Sequence, residues 1–345
     1  MFIWDDSLRH AQGHFLAALG FRPAECPYHV IASAPLWRLR DYGGADDGLP
    51  PLLIVSAPIK RPYLWDLTPR ASAIRTCLTQ GFHIFLLEWI PPHQGERGAG
   101  LEDYADRAIG ECAEEIMRRS GSDQVLLMGH SLGGTFAAIF AAARPHLVRG
   151  FVLLSAPLCF ARRASRFSDA VAERGPASLG GAALVPGSML SEFCAYAAPE
   201  IFVWSRFNDA ARCMADPGAM DIHLRVERWA FDEVALSGRL VDEILQWLYR
   251  ENRLYLGTLP IGGRLIGPSK IACPLLAVVT AADDVACIES VAPFIAAIPA
   301  ADARVVTYPG EAGACLQHLG ILAGPEAYAR IWPQITAWLA AHHRS

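Results

Sequence analysis

The stretch Gly129-His130-Ser131-Leu132-Gly133-Gly134 constrains the fold more than any other part of this chain. It follows a short apolar run, Gln124-Val125-Leu126-Leu127-Met128. It precedes residues 135–143, an Ala-rich series of helix formers that Arg144-Pro145 brings to an end. The reading is strand, tight turn, helix. A serine at the apex of such a turn sits in a strained backbone conformation with its hydroxyl presented outward. Gly129 and Gly133 fit the frame, because a Cβ at either place would collide with a neighbouring strand or helix. The G-x-S-x-G spacing in this setting reads as a nucleophile elbow, and its meaning depends on what stands elsewhere in the chain.

The length of 345 residues allows one large α/β domain plus an insertion. At 52% hydrophobic and 19% charged, the chain can bury a sizeable core. The net charge is −5 and no Lys/Arg run occurs, so nucleic acid is not an expected partner. The first ten residues, MFIWDDSLRH, carry acidic groups early and no apolar stretch, so no secretion signal is expected. No apolar run approaches the ~20 residues that span a bilayer. Nine cysteines are scattered without a C-x-x-C pair, which suggests reduced thiols and a cytoplasmic location.

Residues 5–20 read as an amphipathic helix, with Asp5 or Asp6 as its N-cap and Gly20 as its stop. Residues 28–42 read as an edge hairpin and 43–50 as a loop. Apolar strands follow at 51–55, 82–89, 125–128 and 148–154, with helices at 68–80, 101–120 and 132–143 between them. Near-continuous apolar strands imply burial on both faces. The alternation breaks at Ser155 and resumes at 274–279, followed by a helix at 289–297, a strand at 303–308 and a closing helix at 327–341. The expected fold class is α/β: a mostly parallel, doubly covered sheet of the α/β-hydrolase type, with a cap or lid inserted between strands six and seven. The expected organisation is an N-terminal helix at 1–25, a core at 26–155 and 253–345, and a cap at 156–252. Active groups in such sheets lie at the carboxyl ends of strands.

A serine hydroxyl is a weak nucleophile at neutral pH. It needs a base, and the base needs an orienting carboxylate. In this fold the chain order is serine, acid, histidine. Asp283 and Asp284 both stand just past strand seven, and His318 stands past strand eight. Asp283 is favoured for its distance from Val279, with Asp284 as the rival. The oxyanion needs two aimed N–H groups. Leu132, right after the serine, supplies one, and Ile59 is the better candidate for the other, because Pro58 has no N–H. His130 reads as a residue that packs beside the nucleophile or supports the reacting groups from behind, and His93 as a solvated loop residue. There is no HExxH, no metal-spaced Cys/His cluster and no phosphate loop, so no metal or nucleotide cofactor is expected.

The stretches at 52–72, 82–92, 229–238, 248–263 and 269–276 together resemble segments of polyhydroxyalkanoate synthases. LLIVSAPIKRPYLWDLTPRAS (52–72) resembles their D-L-T-P segment, and FHIFLLEWIPP (82–92) their next strand. WAFDEVALSG (229–238) keeps their spacing of Trp, Asp, Leu and Gly, and LYRENRLYLGTLPIGG (248–263) and SKIACPLL (269–276) resemble the segments that follow. The resemblance runs from about residue 50 to 325. It places nucleophile, acid and base on Ser131, Asp283 and His318, and the oxyanion amides on Leu132 and Ile59. Asp66 falls on a position with a structural part near the site. It implies a hydroxyacyl ester, oligomer or acyl-coenzyme A as substrate, and a second subunit or a polymer granule surface as partner.

The chain departs from that family at telling places. The synthases carry cysteine where Ser131 stands. Cys287 replaces a usual proline, and Leu316-Gln317 a usual glycine-containing pair. The long N-terminal region of the larger synthases has no counterpart. A Ser-His-Asp relay works by general-base catalysis, and its acyl-ester is commonly resolved by water. The sequence therefore puts hydrolysis of an ester or thioester ahead of polymerisation, with the apolar stretches 193–207 and 224–231 as acyl pocket and lid. The alternatives are synthase-type acyl transfer that tolerates serine, and a silent protein that binds a polymer surface or a synthase subunit.

Overall fold

The computed structural model describes residues 2–43, 48–179, 184–300, 302–311 and 317–343, the side chains of 2–5 excepted. Eight strands form the central sheet: β1 (His29–Ala34), β2 (Trp37–Asp41), β3 (Pro51–Val55), β4 (His83–Trp89), β5 (Val125–His130), β6 (Val148–Leu154), β7 (Leu275–Thr280) and β8 (Ala303–Tyr308). Their spatial order is β1-β2-β4-β3-β5-β6-β7-β8. The hairpin β1–β2 is antiparallel, and β2 lies antiparallel on β4. All other pairings are parallel. This is the α/β-hydrolase fold that the strand pattern predicts.

Strand periodicity explains the two cores. Successive side chains point to opposite faces of a sheet. Leu53 and Val55 therefore join one apolar cluster, with α3 (Ile109–Ser120) and α4 (Leu132–Ala143). Leu52 and Ile54 join the other, with α2 (Ala73–Thr79) and the closing helix Trp332–His343. All five residues of β3 are buried, as two-sided covering requires. The antiparallel edge strand β1 is exposed or half-buried along its length.

Several boundaries differ from the sequence reading for physical reasons. The N-terminal helix α1 runs Phe2–Ala18, so neither Asp5 nor Asp6 starts it. Asp6 instead accepts from the Ser188 N–H at 2.9 Å and caps a helix of the insertion. Helix α2 begins at Ala73, not Thr68. Thr68 precedes Pro69 and stays extended, and the Ser72 hydroxyl caps α2 by accepting from Arg75 N–H at 2.8 Å. The segment 289–297 splits into a 3-10 turn at Ile288–Ser290 and a helix at Ala292–Ala296. The closing helix breaks at Ile331 into Pro325–Arg330 and Trp332–His343. The expected loop 43–50 lies partly outside the described residues, as does Leu316.

Between β6 and β7 the chain leaves the sheet and turns helical: α5 (Arg166–Arg174), α6 (Gly187–Ala197), α7 (Ser205–Cys213), α8 (Pro217–Ala230) and α9 (Gly238–Glu243). Helix α1 packs against α6 and α8. Among the described residues no helix is long and apolar enough to cross a membrane. Six of the eight described cysteines are buried.

Candidate active site

Ser131 stands at the end of β5 and begins α4. Its φ of 53° is a left-handed value that costs a non-glycine residue about 1–3 kcal/mol. Three glycines make the turn geometrically feasible. A Cβ on Gly129 would lie 2.6 Å from Gly134 Cα, one on Gly133 2.4 Å from the Val55 carbonyl, and one on Gly134 2.5 Å from Ala156 Cβ. The Gly133 contact matters most, because it lets the end of β3 come right up to the serine. Ser131 N–H donates to Leu154 carbonyl at 3.0 Å, which ties the turn to β6.

His318 Nε2 lies 2.8 Å from Ser131 Oγ, and His318 Nδ1 lies 2.9 Å from Asp283 Oδ2. Asp283 is buried, and its other oxygen accepts from Val285 N–H at 2.8 Å and Ala286 N–H at 3.1 Å. Burial alone would raise the Asp283 pKa, but the His318 ring and the two amides outweigh it and hold the carboxyl below its usual value. Asp284 is exposed, and among the described residues Ser165 Oγ donates to its backbone carbonyl at 2.9 Å. The geometry thus separates two carboxylates that the sequence leaves as rivals.

His130 supports the base from behind. Its Nε2–H donates to the His318 carbonyl at 2.8 Å, and its ring lies 4.8 Å from the His318 ring. A carbonyl can only accept, so Nε2 carries the proton. Burial, helped by the neighbouring His318 ring, pushes the His130 pKa down to about 3, which keeps the ring neutral. Asp66 is buried away from the cavity. It accepts from Ser72 Oγ at 2.5 Å and from Cys26 N–H, and so staples the segment before β1 to the loop after β3. His93 is exposed.

Ser131, His318, Leu132 and Ile59 line one cavity of about 720 Å³. No described residue accepts from the Leu132 or Ile59 N–H. The first amides of a helix lack internal acceptors, so that of Leu132 is free for a ligand and carries the helix dipole. The cavity roof comes from the insertion: Phe167, Phe193, Phe202, Trp229, Phe231 and Tyr249. Phe193, Phe202 and Phe207 come from the stretch 193–207, whereas Trp204 in the same stretch is exposed and does not line it.

Arg9, Gln12, Lys60 and Glu233 also reach the cavity or its wall. Arg9 and Gln12 carry no local motif, and their place depends on how α1 docks. Lys60 carries a faint signal in the sequence, since it directly follows Ile59.

A family model described as alpha/beta hydrolase fold matches residues 65–175. The chain is 29% identical over 294 residues to the poly(3-hydroxyalkanoate) polymerase subunit PhaC of Haloferax mediterranei, covering 84% of this chain and 58% of that one. It is 26% identical over 309 residues to the corresponding subunit of Allochromatium vinosum, covering 88% and 84%. The chain therefore spans less than two thirds of the haloarchaeal relative. The crystal structure of the Paleococcus ferrophilus monoacylglycerol lipase aligns with a TM-score of 0.54 at 18% identity, covering 86% and 97%. At that identity the likeness speaks for fold alone.

Fold and comparisons together define an enzyme of the α/β-hydrolase superfamily. Within that class the chain is similar to the polyhydroxyalkanoate synthases.

Proposed function

We propose that this enzyme transfers hydroxyacyl groups through a Ser131 ester, from an acyl-coenzyme A thioester to the hydroxyl of a second hydroxyacyl chain. The observation that carries the reading is the hydrogen-bonded series Ser131–His318–Asp283, set in an apolar cavity under the insertion. The sequence ranks hydrolysis first. The similarity to polymerase subunits over most of the chain moves the weight to acyl transfer.

The steps follow from the groups in place. His318 Nε2 takes the hydroxyl proton as Ser131 Oγ attacks the thioester carbonyl. Asp283 holds the Nδ1–H and stabilises the imidazolium. The amides of Leu132 and Ile59 receive the oxyanion, a contribution of several kcal/mol. The C–S bond breaks, and His318 returns the proton to the departing thiolate. An incoming hydroxyl then gives its proton to His318 and attacks the acyl-serine carbonyl; the acyl–Oγ bond breaks, His318 returns the proton to Ser131 Oγ, and the new ester departs. The apolar roof favours an organic hydroxyl over water at the second step.

Hydrolysis is kept as a second reading on one observation: the nucleophile is serine where the synthases have cysteine. The deciding experiment incubates the protein with 3-hydroxybutyryl-coenzyme A, follows thiol release, and sizes the acyl product, with Ser131→Ala alongside. Ser131-dependent release ending in polymer or oligomer supports transfer. Release ending in free 3-hydroxy acid overturns it in favour of hydrolysis. No release here or from activated short-chain esters would sink both.

A further inference from the structure

The loop after β3 is clasped by the insertion. Val234 N–H donates to the Ile59 carbonyl at 2.8 Å and Arg61 N–H to the Asp232 carbonyl at 3.3 Å, while Lys60 and Glu233 pair as an antiparallel bridge. Trp229 Nε1–H donates to the Arg61 carbonyl at 2.8 Å. On its far side the same segment pairs with Val185: Val185 N–H to Leu236 carbonyl at 2.8 Å, and Leu236 N–H to Val185 carbonyl at 3.0 Å. The residues that carry Ile59 are thus one edge of a small ribbon whose other members belong to the cap.

Charge locks the clasp. Glu233 Oε1 receives Lys60 Nζ at 2.9 Å, Arg9 Nε at 2.8 Å, Arg9 Nη2 at 2.5 Å and Ser191 Oγ at 2.8 Å. Lys60 Nζ also donates to Ser191 Oγ at 3.1 Å and to the Ala230 carbonyl at 2.5 Å. The Glu233 side chain is only 2% exposed. A Cβ on Gly187 would lie 2.3 Å from Glu233 Cβ, so the start of α6 presses directly on it. Three distant parts of the chain meet at one carboxylate: α1, the loop after β3, and the cap.

We infer that the cluster Lys60–Glu233–Arg9 is a latch that positions the Ile59 amide, so the oxyanion site is complete only when cap and N-terminal helix are seated. The inference rests on the role proposed above for Ile59. Pro58 has its φ fixed by its ring. Pinning the Ile59 carbonyl and the Lys60 side chain fixes the other side of Ile59, leaving its N–H little freedom to swing. Lys60, Glu233 and Arg9 are positioning residues, since none bonds Ser131 or His318. Any opening of the cap to admit substrate would loosen the donor, and closure would restore it, so binding and catalytic power become coupled.

The test compares wild type, Glu233→Ala, Lys60→Met and Arg9→Ala for fluorophosphonate labelling of Ser131 and for turnover of p-nitrophenyl butyrate. Labelling and kcat should fall about 10- to 100-fold in the first two variants, approaching the ~10²–10³ that loss of an oxyanion donor costs. KM should move little. Glu233→Gln keeps an acceptor and should recover part of the loss. Arg9→Ala removes only the outer clasp and should lose about 5-fold, on the same scale. If Glu233→Ala does not fold, Lys60→Met and Arg9→Ala decide by the same criteria. Folded variants that label at the wild-type rate overturn the latch, as does a loss carried by KM alone. Wild-type protein that fails to label overturns the acyl-serine reading and the latch with it.

Discussion

His130 Nε2–H donates to the backbone carbonyl of His318 at 2.8 Å, so the residue beside the nucleophile holds the backbone of the base. The bond crosses from the end of β5 to the segment after β8. It fixes the distance between two residues that sequence separates by 188 positions.

Replacing His130 with Ala should therefore lower kcat without touching the chemistry of Ser131 directly. The His318 carbonyl would be left buried and unpaired, at about 1–3 kcal/mol. A kcat loss of about 10-fold is expected if a similar energy falls on positioning of the ring. His130→Gln offers an N–H at a comparable reach and should recover much of it. Because His130 is held neutral, with a pKa pushed down to about 3, neither variant should shift the pH–rate profile above pH 5. An Ala variant with wild-type kcat would remove this role.

Asp283 and Asp284 are neighbours with opposite expected phenotypes. Asp283→Asn should cost about 10⁴ in kcat, because the amide favours the wrong tautomer of the base. Asp284→Asn should stay near the wild-type rate, as its side chain is exposed. Asp283 also adds a pH signature to stability. Its folded pKa lies below the unfolded value of ~3.9, so its contribution is present above that value and lost as pH falls through the lowered one. Acid unfolding followed by circular dichroism should lose part of that dependence in Asp283→Asn. Equal rates for the two Asn variants would contradict the geometry.

Much of this was legible because periodicity and turn chemistry are local. The apolar run before Gly129 and the Ala-rich run after Gly134 placed β5 and α4, and the alternation placed the strands on both sides. Thr68–Gln80 misled because propensity favoured a helix, whereas Pro69 held Thr68 extended and moved the cap to Ser72. The chain order that the fold imposes pointed to Asp283 and His318, which the structure sets within hydrogen-bond distance of each other. The Arg9–Glu233 pair was not legible, because 224 residues separate the two and nothing in either neighbourhood signals the other. The sequence left His130 between packing and support, and its partner stayed hidden because a hydrogen bond to a distant backbone carbonyl leaves no mark in sequence.

Gly133→Ala should damage the elbow without altering any reacting group. The added Cβ would lie 2.4 Å from the Val55 carbonyl and 2.7 Å from Ser56 C, both backbone atoms that cannot move aside cheaply. Overpacking of this kind costs about 1–3 kcal/mol. Thermal unfolding should shift down accordingly, and fluorophosphonate labelling of Ser131 should slow, because β3 and the oxyanion loop are pushed off the nucleophile. Wild-type stability together with wild-type labelling would show that the turn has more room than its atoms suggest.

The latch carries its own pH dependence. Burial pushes the Lys60 ammonium down to about 8, although Glu233 at 2.9 Å opposes the shift. Arg9 adds to the lowering, and Cys194 faces the ammonium as a neutral thiol, its pKa raised to about 11. Glu233 is held down at about 2 by Lys60 and Arg9 against its own burial. The ion pair is therefore intact from about pH 2 to about 8, and fails as pH rises through the Lys60 value. Turnover of p-nitrophenyl butyrate should show an alkaline limb near 8, and Lys60→Arg should move that limb upward, because a guanidinium stays charged. A limb at the same pH in both proteins would assign it to another group.

Ser131→Cys tests the single departure that bears most on the reaction. An oxygen ester and a thioester at the same point differ in how they are formed and resolved. A thiolate exchanges readily with coenzyme A thioesters, whereas the hydroxyl depends on His318 for every attack. The pocket has room for the larger sulfur, since Ser131 faces an open cavity of about 720 Å³. With 3-hydroxybutyryl-coenzyme A, the Cys variant should retain thiol release while its activity on p-nitrophenyl esters falls, by about 10-fold or more on the scale of lost general-base catalysis. Its products should be sized beside those of the wild type. If both make polymer, the cavity and cap govern the fate of the acyl-enzyme, and serine is an adequate carrier. If only the Cys variant does, the identity of one atom divides hydrolysis from transfer, and the wild-type protein is a hydrolase on a synthase-like scaffold.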